Sequence, residues 1–134
     1  MNIAFLIAGL LCVIAVFAHG IGGEYTLRRI PTDAFPQIPN GGSLIAKQEV
    51  RMSWHGVTVV FILSAVVLLM MALTNIITDT QTIAHIITVT FVFFAIDIML
   101  VPLMATRQLS TLVRIPQWIL CFAIAVATYA GLGV

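Results

Sequence analysis

Residues 54–78 read WHGVTVVFILSAVVLLMMALTNIIT, a run without a single Asp, Glu, Lys or Arg. A hydrocarbon core of ~30 Å takes about 20 helical residues to cross, so this stretch is long enough to span a bilayer as one helix. Three further runs share its character: Ile3 to about Ile21, Ile83 to Ala105 and Ile115 to Val134. Among the four, only the third holds a formal charge, Asp97.

Composition points the same way. The chain has 134 residues, 61% hydrophobic and 8% charged, with a mean hydropathy of +1.15, whereas an ordinary soluble domain is roughly 25% charged. The expectation is a single all-α integral membrane domain, a four-helix antiparallel bundle with no chain left for an extramembrane domain. A net charge of +1 leaves no basic surface of the size nucleic-acid binding needs. Cys12 and Cys121 both lie in apolar runs, so they form neither a disulfide framework nor a paired thiolate zinc motif.

The connections differ. The first loop, about 22–53, carries Gly22, Gly23, Pro31, Pro36, Pro39, Gly41 and Gly42, turn chemistry that interrupts a long helix. After Asn40-Gly41-Gly42, Ser43 is placed to cap a helix that winds through Leu44 to Ser53 into the second span. Asn75 to Thr82 and Thr106 to Arg114 are short, which makes consecutive helices antiparallel neighbours.

Basic residues stay on the cytoplasmic side of a membrane. Arg28, Arg29, Lys47 and Arg51 fall in or beside the first loop, and Arg107 and Arg114 bound the third. The second loop and both termini have none, so both chain ends are expected outside a bacterial cytoplasmic (inner) membrane. A cleaved signal peptide ending at Val16-Phe17-Ala18 is the weaker alternative, because its n-region lacks Lys and Arg. Arg28 and Arg29 alone fall short of the four to eight basic residues that lipid recognition takes, and read as topogenic charges.

Lipid solvates Leu as well as another helix does, so association rests on small residues and polar contacts. Ala4, Ala8, Cys12, Ala15 and His19 form one such stripe, which puts His19 against protein. Trp54, Trp118 and Tyr129 suit interfacial anchors. Met70, Met71 and the phenylalanines, Phe93 and Phe94 among them, read as lipid-facing or gap-filling bulk.

This topology brings His19, at the end of the first helix, level with His55, at the start of the second. Arg51 lies one turn before His55, and Glu24 and Glu49 belong to the adjoining loop and helix extension. Imidazoles on two antiparallel helices can ligate haem b or a transition metal, with Glu24 as a further metal candidate. No HExxH or ExxH spacing backs that reading. Asp97 is expected to point into the bundle, beside the Ile98 carbonyl that Pro102 leaves without its helical donor. His85 falls near the opposite face of the membrane, beside Asp79 and Gln81.

The run His19-Gly20-Ile21-Gly22-Gly23-Glu24, followed by Arg51-Met52-Ser53-Trp54-His55, resembles a pattern in small four-span bacterial membrane proteins of uncharacterised function. There H-x3-G-E ends the first helix and R-x2-W-H opens the second. The resemblance covers the first half of the chain and implies that His19, Glu24, Arg51, Trp54 and His55 act as a unit at the cytoplasmic boundary. It implies no activity.

Three functions are consistent with these features. The first is a non-catalytic accessory or structural subunit whose partners are the lipid bilayer and another membrane protein or further copies of itself. The second is a haem or metal redox protein using His19 and His55, and the third is proton- or ion-coupled transport through an oligomer using Asp97. Gly-rich phosphate motifs and nucleophile elbows are absent from the sequence, which leans against an enzyme.

Overall fold

A computed structural model describes residues 1–39 and 41–133, so Asn40 of the expected turn and Val134 of the expected fourth span lie outside the described residues. The fold is all-α, 84% helical and without strands among the described residues. In chain order the helices are α1 (Ile3–Arg29), α2 (Gly42–Leu73), α3 (Thr80–Thr106), α4 (Ser110–Arg114) and α5 (Gln117–Ala130). Three-residue 3-10 turns follow α1 at Thr32–Ala34 and α5 at Gly131–Gly133. Contacts divide the chain into two compact units, Met1–Cys12 with Ser64–Val134, and Val13–Leu63.

The first unit packs the opening turns of α1, the last turns of α2, α3 and α5 into a bundle. Ala84, Ile87, Phe91 and Ala95 of α3 recur every three or four residues, and Cys121, Ile124, Ala125 and Thr128 do the same on α5. These stripes face each other, and all of these residues are buried. The bulk turned outward is larger than the bulk turned in: Ile7, Leu10, Phe93, Leu100, Met104 and Phe122 are exposed while Ala8, Cys12, Ala84 and Ala95 are buried. In water that arrangement would be costly; in lipid it is the expected one, because apolar side chains are solvated by acyl chains and close backbone approach supplies the cohesion. The phenylalanines divide accordingly, Phe5 and Phe91 filling the core and Phe93 facing out.

Asn2 clasps this unit at one end. Its side-chain oxygen accepts the Phe5 N–H at 3.1 Å, capping α1. Its amide donates to the Gly131 carbonyl at 2.8 Å, and its backbone N–H to the Ala72 carbonyl at 3.2 Å. Phe5 lies directly on Gly131, where a Cβ would come within 2.4 Å of the ring. Asp79 caps α3 by accepting the Thr82 N–H at 3.1 Å.

The second unit is a helical hairpin made from residues 13–29 of α1 and 42–63 of α2. The first helix does not stop near Ile21: it continues through Gly22 and Gly23 to Arg29, and the connection is 30–41 instead of 22–53. Each helical glycine costs about 1 kcal/mol against alanine, a sum that a packed helix can absorb. Pro31 is the residue that ends α1, since proline disfavours helix in its predecessor. Ser43 is not the expected cap either. It lies within α2, and its hydroxyl accepts the Gln37 amide at 2.8 Å.

The fourth apolar run also differs from expectation. α1, α2 and α3 are long and apolar enough to cross a membrane, with 27, 32 and 27 residues. α5 has 14 residues, about 21 Å at 1.5 Å per residue, short of a full hydrocarbon core. Its start is delayed to Gln117 by Pro116, with the separate short helix α4 occupying 110–114.

Candidate functional site

The hairpin unit carries the polar constellation. Its register follows from three contacts: as the chain advances through His19 and Glu24 of α1 to Ile30 just beyond it, the α2 mate retreats through Thr58, Arg51 and Lys47. The two helices are therefore antiparallel.

At the inner layer, the His19 ring lies flat on the Trp54 indole, centroids 4.4 Å apart and planes 14° apart. Phe61 also lies against the imidazole, tilted, with centroids 5.7 Å apart. The Trp54 indole N–H donates to the His19 carbonyl at 2.8 Å. Gly23 makes this possible. In an α-helix the carbonyl of residue 19 faces the N–H of residue 23, and a Cβ on Gly23 would fall 1.8 Å from Trp54 Nε1. Trp54 thus acts as an anchor turned inward onto α1, its polar edge on backbone.

Thr58 fixes the imidazole. Its hydroxyl lies 3.3 Å from the Trp54 carbonyl one turn back on α2. The same hydroxyl lies 3.0 Å from His19 Nδ1, a contact that fixes the ring against α2.

The outer layer centres on Glu24. One carboxylate oxygen accepts Arg28 Nε at 2.7 Å and also pairs with Arg51 Nη2. The other accepts Arg51 Nε at 2.9 Å and lies 3.3 Å from His55 Nε2. The Glu24 to Arg51 pair is bidentate, the geometry a guanidinium fork favours. Glu24 is the more enclosed member, its side chain 17% exposed against 73% for Arg28. Lys47 donates to the Ile30 carbonyl at 2.6 Å, and Arg29 stacks on the Tyr25 ring at 4.0 Å.

Of the residues singled out from the sequence, His19, Glu24, Arg51, Trp54 and His55 come together here. Glu49 is exposed and joins no described ion pair. Asp97 is a correction to its expected direction: it is exposed on α3, on the face that also bears Phe93, Leu100, Val101 and Met104. The stripe packed inward is Ala84, Ile87, Phe91 and Ala95, and Asp97 falls off it by the helical period. His85 donates from Nδ1 to the Gln81 carbonyl at 2.8 Å and meets Tyr129 edge-on. Among the described residues no group of three or more His, Cys, Asp or Glu is arranged to hold a metal ion.

Thr58, Phe61 and Arg28 complete the site without having been picked out for it from the sequence. Thr58 and Phe61 fall four and seven residues after Trp54, hence on its face of α2. Arg28 falls four after Glu24 on α1, the spacing of a helical ion pair. Comparison of the chain with protein-family models, with curated proteins and with solved structures gives no match.

Proposed function

We propose that this chain is a non-catalytic accessory subunit of a membrane assembly, held to its partner through the Asp97 face of α3. It would be one of the small four-span proteins that its H-x3-G-E and R-x2-W-H motifs resemble. On this reading α5 with its closing turn makes the fourth crossing. The Arg28, Arg29, Lys47 and Arg51 end and the Arg107 to Arg114 connection are cytoplasmic, and both chain ends are outside a bacterial inner membrane, as the placement of basic residues favours.

The carrying observation is Asp97 itself. It stands nine residues before the end of α3, ~14 Å along the axis, and no hydrogen bond or ion pair joins it to any described residue. It is surrounded on its own face by exposed Phe93, Leu100, Val101 and Met104. A carboxyl at that depth facing acyl chains is expensive, and such acids sit against protein or a polar path. None of the described residues supplies the covering group, which supports a partner in that place. The His19 ring, stacked on Trp54 and against Phe61, and the His55 ring, held by Glu24, are engaged in joining α1 to α2, which supports a structural role for both.

Affinity isolation in mild detergent at native expression tests this. One partner chain at fixed stoichiometry is expected, with Asp97→Ala weakening the association about three- to thirtyfold, the range of interhelical polar contacts. Isolation of the wild type as a lone chain, or a partner retained equally by Asp97→Ala, removes the proposal. Recovery of only a second copy of this chain would replace the accessory role with self-association.

A further inference from the structure

Between the last turns of α1 and the first turns of α2 lies an open cavity of ≈ 210 Å³, lined by Glu24, Leu27, Arg28, Thr32, Leu44, Lys47, Gln48 and Arg51. It belongs wholly to the hairpin unit. Three of its walls are cationic and one is a carboxylate, so an uncompensated charge of about +2 remains at neutral pH.

We infer that this cavity binds a phosphomonoester. The donors are available in number. Arg28 commits only Nε to Glu24, which leaves both terminal nitrogens, and its side chain is mostly exposed. Arg51 commits Nε and one Nη2 hydrogen, leaving the rest of its fork. Lys47 commits one of three protons to the Ile30 carbonyl. Glu24 holds both guanidinium groups in place before any ligand arrives, so little side-chain entropy is lost when one binds.

Charge and size choose the ligand. A phosphomonoester carries about −1.5 to −2 at pH 7, which matches the surplus; a phosphodiester at −1 leaves part of it unpaired. The volume is below the ~300 Å³ at which drug-sized ligands begin, so the cavity takes a group and not a whole nucleotide. Its position at the charged end of two apolar helices is where lipid headgroups lie, and basic pockets between membrane helices take such headgroups. Leu27 and Leu44 line the apolar side. The same chemistry in a water-soluble phosphate ester would fit the polar walls equally.

The test uses the full chain in nanodiscs of phosphatidylcholine doped with either phosphatidic acid, a phosphomonoester lipid, or phosphatidylglycerol, a phosphodiester. Lipids retained on release into mild detergent are counted by native mass spectrometry. Phosphatidic acid is expected to be retained over phosphatidylglycerol. Arg28→Gln and Lys47→Gln should each lower that retention roughly fivefold, the weight of one basic residue near an anionic surface, and Arg107→Gln should leave it unchanged. If millimolar glycerol 3-phosphate displaces the lipid with the same dependence on Arg28 and Lys47, the phosphomonoester site stands and its ligand is soluble. Equal retention of the two lipids, or equal behaviour of Arg28→Gln, Lys47→Gln and Arg107→Gln, overturns the inference.

Discussion

A Cβ built at Gly22 meets nothing within 4 Å, whereas one built at Gly23 falls 1.8 Å from Trp54 Nε1. The two neighbours should therefore respond oppositely to alanine. Gly22→Ala is expected to stabilise the chain by about 0.5–1 kcal/mol through lower backbone entropy in the unfolded state. Gly23→Ala should destabilise it by about 1–3 kcal/mol, as overpacking does, and push the indole off the His19 ring. Unfolding in mixed micelles, followed by Trp54 fluorescence in a Trp118→Phe background, reads both effects. Equal responses would mean that the indole does not rest on the α1 backbone. The meeting of His19, Glu24, Arg51, Trp54 and His55 was legible in the sequence, because a short connection makes α1 and α2 antiparallel neighbours and residues at comparable distances from it come level. Thr58 was not legible: hydroxyls inside spans usually bond to their own helix, as Thr26, Thr90 and Thr128 do here, and nothing local marks the one that also reaches across.

At the scale of elements, charge-free runs locate the three long helices, but hydropathy alone sets their ends poorly. α1 outlasts its apolar run by eight residues, from Ile21 to Arg29, because Glu24 with Arg28 and Arg51, and Tyr25 with Arg29, give polar turns a packed face. α3 ends in a different way. Arg107, its C-cap, adopts left-handed backbone at φ 55, and its N–H closes on the Leu103 carbonyl. That position belongs by preference to glycine, and a residue with a Cβ costs roughly 1 kcal/mol there. Arg107→Gly is thus expected to raise stability by about 1 kcal/mol in the same micelle assay. A loss instead would show that the arginine side chain contributes a contact outweighing the backbone strain.

For the whole molecule, the membrane character was readable from composition, and the direction of Asp97 was not. Helical period predicts which residues share a face with Asp97, but which face turns inward is decided by the partners' small residues, a property of the assembled unit. Orientation makes its own prediction. If the six basic residues set the topology, reporter domains fused at either chain end will be active outside the cytoplasm, and those inserted near residue 37 will be active within it. Moving Arg107 and Arg114 to the 74–79 connection should then scramble the result. Reporters at the two ends giving opposite answers would place α5 at the membrane without crossing it.

Cys12 and Cys121, fully enclosed among packed side chains, have a practical corollary. Alkylating reagents act on thiols they can touch, so the natural chain already behaves as an unreactive background. A spin label or fluorophore can be attached through a single introduced cysteine without first replacing either native sulfur.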